Sequence, residues 1–409
     1  MRTLAIVLVA CWLTLSLWQA PRVRQQSDGQ SELRGIWLTN YGALLTYYTT
    51  QLDETVATLA KHHLNTLYPA VWNRGKALHR SRVLQHAQQR EAKFPVPWGS
   101  PPDPLAGLVH QAHRQHLRII PWFEYGLWVP TSSAIAQAHP DWLTTTQTGR
   151  QTLDSPPSPT GLPPWLRAMQ QEWTGSNQAW LNPCHPGVQQ FLIDLVTEVV
   201  QNYEVDGIQL DDHFGLPHEF GYDPLTQKQY RQEHQGLPPP HDPQDPAWVA
   251  WRAEKITQLM VKLVEAVRQI NPQAVISLSP HPPQFAYQRY LQAWPHWIEL
   301  GLIDEVVVQL YRPTLSSLRA ELSDPTLLSL ASRIPLSVGL YTGPIQSPKS
   351  IDQIQQEVDQ VRTAGYRGVA FFCWETTLWI FKASSATRVQ QTFEQLFASP
   401  HPPSKSTLS

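Results

Sequence analysis

From residue 33 onward the chain alternates short apolar runs, rich in β-branched and aromatic residues, with longer segments of helical period. Eight runs have strand character: LRGIWLTN (33–40), NTLYPAVW (65–72), LRIIPWFE (117–124), VDGIQLDD (205–212), AVISLSP (274–280), IDEVVVQLY (303–311), IPLSVGLYTG (334–343) and RGVAFFCWE (367–375). Helical segments follow them at 53–63, 103–116, 187–203, 247–270, 285–299, 315–331, 350–364 and 386–397. Such alternation marks parallel βα units, because a parallel partner strand can be reached only through a long crossover. Eight units predict an α/β fold, a (β/α)8 TIM barrel. A doubly wound open sheet would carry a glycine-rich phosphate loop after its first strand. Here that strand runs into TNYGALLTYY (39–48). The chain has 409 residues, more than the roughly 250 of a typical barrel. The excess falls in two insertions, 125–186 and 213–246, after strands three and four. Both leave the C-terminal ends of strands, the face on which barrels build their sites.

The N-terminus, MRTLAIVLVACWLTLSLWQAP, places one Arg ahead of an apolar run from Leu4 to Trp18. That run is short of the roughly 20 residues of a membrane span and reads as an export signal. Residues 1–20 are assigned to a signal peptide or N-terminal anchor and 21–32 to a polar tether. The barrel takes 33–397, and 398–409 reads as a disordered tail. LVAC (8–11) resembles a lipoprotein box, so cleavage, retention as an anchor, and a lipid on Cys11 all stay open. The N-terminus is the only membrane attachment expected, and the expected destination is the periplasm or cell envelope. A net charge of -2, with no long basic run, argues against a nucleic-acid partner. Past Cys11 only Cys184 and Cys373 remain, without CxxC or zinc-type spacing, so no metal or other cofactor is expected.

If the strands close into a barrel, polar and aromatic residues at their C-terminal ends converge on one cleft. Strands one to three supply Trp37, Asn40, Trp72, Trp122, Glu124 and Tyr125. Strands four to six supply Gln209, Asp211, Asp212, His213, His281, Gln309 and Tyr311, and the last two supply Tyr341, Trp374 and Glu375. A rim of aromatics over a floor of carboxylates suits a carbohydrate, whose C–H faces stack on rings while its hydroxyls bind acids and amides. Glycosidic cleavage needs two carboxyl groups, one protonated and one ionised, about 5–5.5 Å apart for retention or 6.5–9.5 Å for inversion. Asp211 shares strand parity with Gln209, so both should face the barrel axis. Asp211 is therefore the expected nucleophile or base, and Asp212 should turn toward a helix or loop and bind substrate or support the site. The proton donor is Glu124 or Glu375, with Glu124 preferred because its strand adjoins that of Asp211. His213 and His281 are placed to bind substrate or orient a carboxylate.

An ordered set of segments carries a family resemblance: LRGIWLTN, PWFEYG (121–126), HPDWL (139–143), LNPCHPGVQQFL (181–192), DGIQLDDHF (206–214), VVVQLYRP (306–313) and GVAFFCWE (368–375). Together they resemble the glycosyl-hydrolase-like family 10 proteins over about 33–397. The resemblance implies a TIM barrel in an exported or lipid-anchored bacterial protein, and a glycoside hydrolase with Asp211 and Asp212 at its site. Some relatives are implicated in cleaving peptidoglycan glycan strands. His213 stands where relatives usually carry Tyr in DDYF. The expected function is hydrolysis of a bacterial polysaccharide by paired-carboxylate chemistry. The alternatives are a non-catalytic glycan-binding barrel and a metal-dependent hydrolase, which would want a His-x-His after strand one that is missing here.

Overall fold

The computed structural model describes residues 32–39, 52–88, 103–153, 178–344, 347–378 and 382–397. Residues 1–20, expected to form an export signal or anchor and including Cys11, together with residues 21–31, Asn40 and residues 398–409, lie outside the described residues. Among the described residues, no helix is long and apolar enough to cross a membrane.

Eight parallel strands close into a ring. They are β1 (Leu33–Leu38), β2 (Thr66–Asn73), β3 (Arg118–Ile119 and Trp122–Phe123), β4 (Gly207–Asp211), β5 (Val275–Ser279), β6 (Glu305–Gln309), β7 (Leu336–Tyr341) and β8 (Gly368–Phe372). Each pairs in parallel with its neighbour in sequence, and β1 pairs with β8 to close the barrel. β3 is broken at Ile120–Pro121, because Pro has no N–H to give the ladder. The Pro121 carbonyl still accepts from Gln209 N at 2.8 Å.

Strand parity divides the core in two. Outward residues such as Ile36, Leu210, Val308 and Phe371 join the large layer between sheet and helices. Inward residues Trp37, Tyr68, Ala70, Ile120, Trp122, Val307 and Ala370 fill the barrel itself. Its N-terminal end is closed by a triad of buried Tyr68 with partly buried Arg118 and Glu305: Glu305 accepts from Tyr68 Oη at 3.1 Å and from Arg118 Nη2 at 3.0 Å. Several helices start at Asp-Pro. Asp103, Asp223, Asp245 and Asp324 cap the helices that open with Pro104, Pro224, Pro246 and Pro325. The Asp side chain satisfies a free N–H of the first turn, and Pro fits where none is needed.

Glu32, assigned to the tether, is buried and bonded to Arg34 and Arg362. Cys184 and Cys373 are free thiols.

Candidate active site

β4 ends at Asp211 with its alternation intact, so Gln209 and Asp211 both face inward. Asp211 is almost completely buried. Its Oδ1 accepts from Asp212 N at 2.7 Å, Gln309 Nε2 at 2.7 Å and Ser279 Oγ at 3.3 Å, and its Oδ2 accepts from Trp122 Nε1 at 3.1 Å. The chain then turns, with Phe214 N bonded to Asp211 O, and Gln292 Nε2 clasps the carbonyls of Asp211 and Phe214. Because the strand has ended, Asp212 escapes its parity. Instead of facing a helix it joins the same cluster. Its Oδ1 lies 3.1 Å from His213 Nδ1 and 3.3 Å from Gln309 Nε2, and its Oδ2 lies 2.9 Å from His281 Nε2.

This arrangement drives the two adjacent carboxyls apart. Burial disfavours charge on both. His213, with the hydrogen bonds from Asp211, His213 and His281, overcomes it at Asp212 and holds that carboxyl well below the usual range. Burial and the charge of Asp212 push Asp211 well above it. Like charges in contact cannot both ionise cheaply, so the pair titrates as a unit with its negative charge on Asp212. Burial also opposes a charge on His213, but Asp212 and Glu124 outweigh it and the imidazole pKa rises above 6.5.

Glu124 follows β3 with inward parity and meets the pair from the side. Asn73 Nδ2 donates to its Oε2. Burial lifts its pKa from 4.5 to about 7, against the opposing pull of Asn73, Arg74 and His213. The 124–127 turn is fixed on the loop after β4 by Leu127 N to His213 O, 3.0 Å. A Cβ on Gly126 would lie 2.8 Å from the His213 carbonyl oxygen and the Phe214 backbone, so only glycine allows this approach. Tyr125 packs on Trp128 and His213, with ring centroids 4.0 and 4.7 Å away, and Arg74 lies over both the Tyr125 and Trp128 rings.

Opposite, Tyr311, Tyr341 and Phe372 form an aromatic wall with centroids 5.5–6.1 Å apart. Burial and the negative charge of the nearby acid pair raise the Tyr311 pKa well above 10.0, so its hydroxyl stays protonated beside that pair. Glu375 is buried at the end of β8, accepting from Thr39 Oγ1 at 2.6 Å; its Oε2 has no hydrogen-bond partner among the described residues.

Four expected ligand residues do not line the cleft. Trp37 and Gln209 are buried below it and bond to each other, Nε1 to Oε1 at 2.7 Å. Trp37 sits deep because β1 is staggered: it pairs with Tyr68, only two residues beyond the start of β2. Trp72 is turned outward by a β-bulge, since Ala70 faces Trp122 across β3 but Trp72 faces Phe123. It packs edge-on against Phe191 instead. The bulge also brings Asn73 to Glu124. Trp374 turns into the helix layer. Trp122 reaches the site as a donor to Asp211, not as an open face. Conversely, Phe372, Arg74, Gln292 and Tyr290, a residue of the helix after β5, belong to the site without having been named from the sequence. Phe372 was legible from parity with Ala370; Arg74 lies in a turn without a periodic signal, and for Tyr290 and Gln292 the helical period does not tell which side chains reach the cleft.

Asp211, Asp212 and His213 could each offer a cation one ligand atom within 4.8 Å. The donor chemistry argues against it. Asp211 already accepts four donors, and His213 favours a proton.

A family model described as glycosyl hydrolase-like 10 matches residues 32–361. The glycosyl hydrolase DigH of Escherichia coli is 25% identical over 329 residues, 72% of this chain and 68% of that protein. The glycosyl hydrolase YngK of Bacillus subtilis is 23% identical over 226 residues, 51% of this chain and 39% of that one. Among solved structures, the PgaB (BpsB) glycoside hydrolase domain from Bordetella bronchiseptica superposes with a TM-score of 0.62 at 13% identity, covering 88% of this chain and 99% of that one. At that identity the likeness is one of fold.

Proposed function

This chain belongs to the glycosyl hydrolase-like 10 family, and from that premise we propose that it hydrolyses glycosidic bonds of a bacterial polysaccharide, with peptidoglycan glycan strands as the first substrate to test. One observation carries the reading: three carboxyls meet at the strand ends, Asp211 and Asp212 as a hydrogen-bonded pair with His213, His281 and Gln309 on Asp212, and Glu124 beside them in a buried setting that favours its protonated form. Carboxyls pushed apart in this way are what acid-assisted glycoside cleavage uses. Glu124 gives its proton to the glycosidic oxygen as the C–O bond breaks. The acid pair meets the positive charge that develops on the sugar, either directly as nucleophile or through a water it deprotonates. Strand parity pointed to Asp211 for that role. Both carboxyls are hydrogen-bonded, but Asp212 is the one held ionised and the less deeply buried of the two, so Asp212 is assigned the ionised, sugar-facing part and Asp211 the part of holding and sharing its charge. Glu124 is preferred to Glu375 as donor because it acts electrostatically on the acid pair, whereas Glu375 rests against Thr39 and Cys373.

Purified peptidoglycan, with and without its peptide stems, is incubated with the wild type, Asp212→Asn and Glu124→Gln, and released sugars are identified by mass. The wild type should release glycan fragments and neither variant should. Full release by Asp212→Asn would refute the assignment of roles. Sugar binding without release by the wild type would make the chain a glycan-binding barrel. The apolar run Leu4–Trp18 supports export to the cell envelope, which fractionation of cells expressing the full chain with a C-terminal tag would check.

A further inference from the structure

We propose a second sugar-binding position, a platform formed by Phe285 and Tyr290 on the helix Pro283–Tyr290, which holds a pyranose unit about one ring away from the bond at Asp212; the proposal rests on the glycosidase reading and extends it to a multi-unit substrate. Of the exposed large hydrophobic side chains among the described residues, Leu237, Ile270, Phe285, Leu300 and Leu328, only Phe285 is aromatic. It is 50% exposed. It also touches the site. Its ring stands edge-on to the His281 imidazole, 5.0 Å between centroids, and His281 Nε2 is 2.9 Å from Asp212 Oδ2. Tyr290 lies nearly parallel to the same imidazole at 5.8 Å, and 6.0 Å from Phe285.

The platform is held in place before any ligand arrives. Tyr290 O accepts from Leu216 N at 2.8 Å and Arg289 O from His218 N at 3.1 Å, which fastens the end of this helix to the loop after β4. Gly215 permits the approach, since a Cβ there would lie 2.6 Å from Tyr290 O. Polar groups flank the rings: Arg289 binds Glu219 and lies over the Tyr290 face. The open face of Phe285, with Tyr290 set at 65° beside it and hydrogen-bonding groups at its edge, matches a sugar, with its apolar C–H face and peripheral hydroxyls. An apolar partner would want a wider hydrophobic patch than one ring provides. Continuity with Asp212 through His281 fixes the occupant as the next unit of the chain being cut, so the enzyme grips an internal stretch of polysaccharide.

The test is calorimetric binding of peptide-free peptidoglycan glycan strands, sorted by length, to Glu124→Gln protein with and without a second change at Phe285. Affinity should rise from the disaccharide to longer strands, and Phe285→Ala should weaken the longer strands by roughly tenfold, the worth of one stacked ring. Phe285→Trp should restore the gain. Leu328→Ala, an exposed residue on another helix, should change nothing. Binding that rises with length but is indifferent to Phe285→Ala would overturn the platform alone. No binding of any strand would overturn the substrate reading, and the platform with it.

Discussion

Removing the carboxyl of Glu124 should make the protein more stable while it destroys activity. The Glu124 pKa rises from 4.5 to about 7 on folding, chiefly because burial disfavours its charge. The folded state therefore holds this proton more tightly than the unfolded chain. Its contribution is fully present below pH 4.5, declines as pH climbs, and is lost above about 7. At about 1.36 kcal/mol per pH unit the shift is worth roughly 3 kcal/mol, and partial exposure at the cleft reduces this to about 1–3 kcal/mol. Glu124→Gln keeps an oxygen for Asn73 to donate to and has no charge to bury. Its melting temperature should match the wild type near pH 4 and exceed it by on the order of 2–5 °C at pH 8. Thermal unfolding of both proteins across that range is the assay. A difference that stays flat with pH, or a variant less stable at pH 8, would show that Glu124 does not bind its proton more tightly in the folded protein.

Other perturbations have equally definite outcomes. Asp212→Asn should lower kcat by about 10²–10⁴ and bring the His213 pKa down, because its main anionic partner is gone; imidazole NMR titration reads the second effect. Arg118→Met leaves the partly buried Glu305 without its cation at the closed end of the barrel and should cost about 1–3 kcal/mol in urea unfolding, less than a fully buried pair would. Arg252, buried among the carbonyls of His218, Phe220, Pro243 and Trp248, ties down the loop after β4. Its replacement by Met should cost about 2–4 kcal/mol and open the 213–245 segment to limited proteolysis.

The barrel was legible because its signal is periodic. Each strand must bury both faces and each helix one, so eight apolar runs and eight amphipathic segments stand out in the chain. Asp211 was legible for the same reason, as parity with Gln209 carries to the last residue of β4. Legibility ended where periodicity did. Asp212 sits one residue past the strand, and its direction is set by His213, His281 and Gln309, which converge from three segments. Trp37 and Trp72 look like rim residues in sequence. The depth of Trp37 depends on stagger between strands, and the direction of Trp72 on a bulge, neither of which has a local signature. Tyr290 and Phe285 lie on a short helix whose position follows from backbone bonds to the 213–218 loop.

If Glu124 supplies the proton while Asp212 carries the charge, the pH dependence of kcat/KM on a cleavable glycan must follow Glu124. Wild-type activity should fall on the alkaline side with an apparent pKa near 7, where Glu124 loses its proton, and in Glu124→Gln the residual rate should show no such limb. An alkaline limb near 7 that survives in the Glu124→Gln variant would mean that another group donates the proton.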